Sequence, residues 1–160
     1  MRTAQQWFDE YGESHQTSFN KIIHYVCVPA IFFSIIGLLA SIPFGFVSSR
    51  FPPSIAPFIH PGTILILFGL IFYFRMSLTI FAGMLLISAF VLWGNYLLAT
   101  TFTTPLWVIS IAIFVVSWVL QFIGHNHEGK KPSFLKDLQF LMVGPAWILG
   151  HVYRQVGISY

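Results

Sequence analysis

The sequence predicts an all-α polytopic membrane helix bundle. Hydrophobic residues make up 56% of its 160 positions and charged residues only 8%, whereas a soluble domain carries roughly a quarter charged residues. The apolar residues fall into long charge-free runs, and the few charges gather between them. Eight Lys or Arg and five Asp or Glu cannot cover the surface of a globule of this size, which excludes a soluble enzyme and a disordered chain. The net charge of +3 reflects scarce acids more than abundant bases. With no basic stripe, a nucleic-acid partner is not expected. The one cysteine, Cys27, excludes an internal disulfide and a Cys-rich zinc site.

The whole chain, 1–160, reads as one integral membrane domain. Residues 1–24 are polar, with Arg2, Asp9, Glu10, Glu13 and Lys21, and read as a cytoplasmic segment rather than a cleavable signal. Four spans follow, at about 25–47, 55–74, 76–100 and 105–124. Each is close to the roughly 20 apolar residues that cross a bilayer core, and backbone pairing inside lipid makes them helices. Thr17 or Ser18 is placed to cap a helix that carries Asn20 and His24 at i, i+4 spacing, with His15 in the loop before it. A fifth segment, about 134–153, is apolar but holds Lys136 and Asp137 near its start and Pro145 in its middle. It spans, re-enters or lies in the interface, and a kinked helix packed on the bundle suits it best.

Arg2, Lys21, Arg75, Lys130, Lys131, Lys136 and Arg154 fall on one side of the four spans, and Arg50 alone on the other. The positive-inside bias puts both termini in the cytoplasm, and it survives if the last helix crosses and carries Arg154 over. The membrane is then a bacterial inner membrane or the endoplasmic reticulum.

Six histidines are the anomaly in so charge-poor a chain. His15 and His24 precede the first span, and His125 and His127 follow the fourth, beside Glu128. His151 lies beyond Pro145, and only His60 falls on the opposite side. A lone interfacial histidine is usually a hydrogen-bonded boundary residue, and His60 is read that way. Imidazoles converging on one face from distant parts of the chain gain most by sharing a divalent ion. Nitrogen donors with at most one carboxylate, and no thiolate cluster, suit iron(II) or zinc. Lys130 and Lys131 read first as the positive-inside flank, and second as a clamp for an anionic head group.

At these motifs the sequence resembles the 2-hydroxy fatty acid dioxygenase family, small multipass membrane proteins of the yeast endoplasmic reticulum and of many bacteria. The matching residues are His15, Asn20-x-x-x-His24 and Val28-Pro29, then Gln121-Phe-Ile-Gly-His125 followed by Glu128, Lys130-Lys131 and Pro132, with Gly144-Pro145 a weaker match. The spacing from His125 to Glu128 is one residue shorter than in yeast-type members. His151 stands where those members have Glu, and His127 has no counterpart. The resemblance implies iron(II)-dependent oxidative removal of one carbon from a long-chain 2-hydroxy fatty acid, with O2 as co-substrate and membrane lipid as surroundings. It implies His15, His24, His125 and, optionally, His151 as metal ligands, Glu128 as a catalytic residue, and Asn20 and Lys131 at the substrate. Two other classes compete on the residues alone: a membrane zinc hydrolase acting on a lipid amide or ester, and a non-enzymatic multipass protein. Anaerobic activity with tight zinc separates the first. Transport is disfavoured by spans with few polar residues beyond Asn95.

Overall fold

The computed structural model describes residues 3–13, 15–129 and 140–160. Every regular element among them is helical. The basic pair Lys130-Lys131, Pro132, Lys136, Asp137 and the start of the 134–153 segment lie outside the described residues.

Helix α1, Ala4–Gly12, begins in a capping box in which Thr3 accepts from the Gln6 N–H and Gln6 reaches back to the Thr3 N–H. It buries Ala4, Phe8 and Tyr11, spaced along one face. Helix α2, Ser18–Ala40, is capped by the Thr17 hydroxyl, which accepts from the Asn20 N–H. It starts where a cap at Thr17 or Ser18 is expected, and the capped turn bearing Asn20, Lys21 and His24 is continuous with the apolar run that begins at residue 25. It stops before Pro43, and the short helix α3, Gly45–Ser48, follows. After a 3-10 turn at Ala56–Phe58, helix α4 runs Pro61–Met76. Ser77 both ends α4 and caps helix α5, Leu78–Thr101, through its hydroxyl, so the chain turns tightly at the Arg75 corner. Helix α6 covers Leu106–His127, and helix α7 covers Val143–Gln155.

Among the described residues three helices, α2, α5 and α6, are long and apolar enough to cross a membrane. The expected second span is shorter: the prolines at 57 and 61 delay α4, which then has 16 residues, about 24 Å at 1.5 Å per residue. Helix α7 has 13 residues and begins at Val143, with residues 140–142 forming a turn before it. Pro145 therefore falls in its first turn rather than in its middle, where its missing N–H costs no helical bond.

The bundle turns many large apolar side chains outward. Phe68, Ile71 and Phe74 on α4, Leu86, Phe90 and Trp93 on α5, and Val116, Val119 and Ile123 on α6 are exposed. Apolar surface on this scale belongs in lipid rather than in water. Inside, Ile36, Tyr73, Ile80 and Met84 are fully buried. Polar ties hold the helices in register. Asn95 donates to the Phe33 carbonyl of α2 at 3.2 Å and to its own-helix Val91 carbonyl at 3.0 Å. The Tyr73 hydroxyl donates to the Met142 carbonyl just before α7 at 2.7 Å, and that of Tyr153 donates to the Thr79 carbonyl at 3.2 Å. Helices α2 and α6 form the most extensive contact of the fold. The start of one meets the end of the other, which joins the two histidine-bearing motifs.

Candidate metal centre

His15 lies just past α1, where the chain turns and its N–H donates to the Gly12 carbonyl at 3.0 Å. The ring folds back over the helix it follows. Nδ1–H donates to the Tyr11 carbonyl at 2.7 Å, and the imidazole stacks on the Tyr11 ring at 4.4 Å and 16°. His24, in α2, uses the same device: its Nδ1–H donates to the Asn20 carbonyl at 3.0 Å. A carbonyl can only accept, so both rings carry their proton on Nδ1 and present the Nε2 lone pair. His125 comes in from the last turn of α6. The ring centroids stand 4.1 Å apart for His15 and His24, 4.9 Å for His24 and His125, and 5.3 Å for His15 and His125. All three are buried, and one nitrogen from each lies within 4.8 Å of the others.

Glu128 does not join the three. Its carboxylate turns toward the start of α2 and accepts the Gln16 N–H at 2.6 Å, the Thr17 hydroxyl at 2.9 Å and the Asn20 Nδ2–H at 2.9 Å, with the Thr17 N–H at 3.2 Å. Partial burial pushes this carboxyl up, but the donors from Gln16, Thr17 and Asn20 outweigh it and hold it at about 2. The residue thus staples the end of α6 to the loop that carries His15 and to the first turn of α2.

Asn20 stands at the junction, fully buried. Its amide donates to Glu128, its carbonyl accepts from His24, and its Oδ1 lies where a Cβ on Gly124 would come, 2.5 Å away. The glycine lets α6 approach α2 closely enough for His125 to face His24. His151 is not brought into the group: its ring packs against Tyr25 at 5.1 Å, and its Nε2 lies 3.1 Å from the Gln155 amide. His127 is exposed and rests on Phe19 at 4.8 Å. His60 is buried at the start of α4, away from the group. Lys131 lies outside the described residues.

Sequence reasoning gave no role to Tyr11 or Trp147, yet both flank the centre. Trp147, on α7, lies 5.7 Å from the His15 ring and 5.3 Å from that of Tyr11. The i, i+4 spacing of Tyr11 and His15 is a sequence signal for the stack. Nothing in the chain's linear order points to Trp147.

The residues fit a divalent ion. Metal–nitrogen bonds of about 2.1 Å are reached from the present spacing by small ring movements. Two rings already have the backbone-anchored Nδ1 that orients a ligating imidazole. His24 Nε2 is buried and has no hydrogen-bond partner among the described residues, a costly state that coordination relieves. Three neutral imidazoles suit a first-row divalent metal and leave coordination positions open for other ligands.

No curated protein and no solved structure is similar enough to match. The profile of one family, described as 2-hydroxy-palmitic acid dioxygenase Mpo1-like, matches residues 1–156. That span takes in the loop, both helices of the histidine group and the Glu128 staple, and the chain belongs to the Mpo1-like family.

Proposed function

We propose that the chain is an iron(II)-dependent dioxygenase that removes one carbon from long-chain 2-hydroxy fatty acids, giving the acid one carbon shorter. One observation carries the reading: a buried, nitrogen-only three-histidine group at one end of an apolar bundle, in a chain whose family is named for 2-hydroxy-palmitic acid dioxygenase. His15, His24 and His125 would hold the iron, which when bound supplies chelation of the 2-hydroxy carboxylate and activation of O2. The protein's own groups do the rest. The Tyr11 and Asn20 carbonyls fix two imidazoles in the tautomer that points Nε2 inward. Tyr11 and Trp147 pack against His15 and hold its ring in place.

With its carboxylate committed to the start of α2, Glu128 acts in this reading as a positioning residue. Asn20 positions His24, and His151 stays outside the ligand set. Lys131, which follows the end of α6 in sequence, is our candidate cation for the substrate carboxylate. Both termini lie on the cytoplasmic side, where the bulk of the Lys and Arg residues fall. The substrate arrives from the membrane itself, its head group at the boundary and its tail among apolar side chains.

The test is metal analysis of detergent-purified protein together with O2 uptake on 2-hydroxypalmitate. Iron near one per chain and substrate-dependent O2 uptake are expected. His125→Ala should lose both while the protein still inserts in the membrane. Full turnover in that variant would sink the proposal. Tightly bound zinc with turnover in the absence of O2 would point to a lipid hydrolase instead.

A further inference from the structure

A polar pocket of about 260 Å³ opens beside the histidine group, between α1, the first turn of α2 and α7. One water needs about 10–15 Å³ of such space, so the pocket has room for a small head group. The apolar crevice between α2, α6 and α7 has only about 20 Å³. His15 and Trp147 form the inner wall of the polar pocket, and both are more than nine-tenths buried. Trp147 Nε1 lies 3.7 Å from where a Cβ on Gly12 would come, and Gly12 lines the same pocket, so the donor edge of the indole runs along that wall. The pocket borders the centre at its His15 side. It is an anteroom to the three imidazoles and not the reacting position.

The rest of the lining is charged. Lys21 comes from the first turn of α2 and Arg154 from the last turn of α7, where it stands seven positions beyond Trp147 on one helix face. Asp9, on α1, and Glu13, its C-cap, bring two acids. Arg154 is anchored. Gly157, at a φ of 75°, turns the chain back after α7, and the Ile158 N–H donates to the Tyr153 carbonyl at 2.9 Å. The returning chain sets Tyr160 against Phe8 at 5.5 Å, and Arg154 Nη1–H donates to the Tyr160 hydroxyl at 2.6 Å. That partner is neutral, so the guanidinium keeps its charge and its other donors. Asp9 accepts the Gln5 Nε2–H at 2.6 Å. With two charges of each sign, the pocket offers a bare anion little net attraction. A carboxylate with a hydroxyl on the next carbon uses both signs, its oxygens toward the cations and its O–H toward an acid.

We infer that this pocket docks the head group of a 2-hydroxy fatty acid before it reaches the histidines: Lys21 and Arg154 pair with the carboxylate, and Asp9 or Glu13 accepts from the 2-hydroxyl. The inference rests on the histidine group being the reacting end, and it adds a first contact that selects acids bearing the hydroxyl. Lys131 keeps its proposed place at the carboxylate during reaction. Ion pairs at a wet rim are screened, so docking weakens as salt rises.

The experiment is calorimetric titration of detergent-purified protein with 2-hydroxypalmitate, palmitate and hexadecane-1,2-diol at low and high salt, with metal content measured on the same samples. The diol keeps the tail and the hydroxyl and lacks the carboxylate. Lys21→Gln and Arg154→Gln should each weaken 2-hydroxypalmitate about fivefold at low salt and leave the diol unchanged, with the loss fading at high salt. Asp9→Asn combined with Glu13→Gln should narrow the gap between 2-hydroxypalmitate and palmitate. Arg50→Gln, beyond the far end of α2, should bind all three as the wild type does. General destabilisation would weaken acid and diol alike. Wild-type acid affinity in both Lys21→Gln and Arg154→Gln, or acid and diol falling together, overturns the pocket as the docking site. Acid-selective losses in protein that takes up no iron would keep the pocket and defeat the iron chemistry instead.

Discussion

Glu128 spends its negative charge on hydrogen bonds from Gln16, Thr17 and Asn20, and that commitment makes the histidine group sensitive to acid. Its carboxyl is held at about 2 against an ordinary 4.5. A group depressed in the folded state contributes stability that is complete above its unfolded value and is lost as pH falls toward the folded one. The staple should therefore weaken between about pH 4.5 and pH 2, and at neutral pH it is fully present. Glu128→Gln keeps the shape but sets an NH2 group against donors, a mismatch worth about 1–3 kcal/mol. Thermal unfolding in detergent should show the variant less stable near neutral pH and without the wild type's acid-side slope from this group. Equal melting temperatures at neutral pH would remove the staple from the account. The sequence does not reveal this role, because the partners Gln16 and Glu128 are 112 positions apart. Spacing from His125 alone makes the carboxylate look like a ligand neighbour.

Helices α2 and α6 owe their close contact to Gly124, and a helix pair this intimate tolerates no added methyl. Gly124→Ala would bring a Cβ to 2.5 Å from Asn20 Oδ1 and 3.3 Å from Ile23 Cδ1. Asn20 is tied to both His24 and Glu128, so the displacement would separate His24 from His125. Overpacking of this kind costs about 1–3 kcal/mol, and the variant should also lose bound metal. Gly45→Ala in α3, where a Cβ meets nothing within 4 Å, is the control and should leave metal content intact. Metal retained in Gly124→Ala would show that the close approach is not what sets the ligands. At this scale much is legible in advance. The Thr17 cap, the i, i+4 pair Asn20 and His24, and the loop placement of His15 all follow from local rules that tertiary contacts leave alone. Helix ends follow less well: charge-free runs mark where lipid is tolerated, whereas α2 begins at its cap and α4 waits for Pro61. His151 is legible as a ligand type but not as a position, since its distance from the three depends on how α7 docks against α1, α2 and α5.

The molecule closes on its histidines from three places: the loop after α1, the start of α2, and the end of α6. A single ion bound there would link segments about a hundred positions apart, and anything that binds the folded state alone stabilises it by mass action. At free metal a hundredfold above its dissociation constant the gain is about 2.7 kcal/mol. Chelation should therefore lower the melting temperature of the purified protein, and readdition of iron(II) should restore it. The size of that step should depend on metal concentration. His125→Ala, which leaves two imidazoles facing an incomplete site, should melt at the same temperature with and without chelator. His60→Ala, at the far end of the bundle, should keep the full chelator response whatever its own effect on stability. The contrast separates metal linkage from simple loss of packing, because packing defects lower both curves equally. A wild-type melting temperature indifferent to chelator and to added iron, in protein shown to be folded, would mean that the three rings meet without an ion to share.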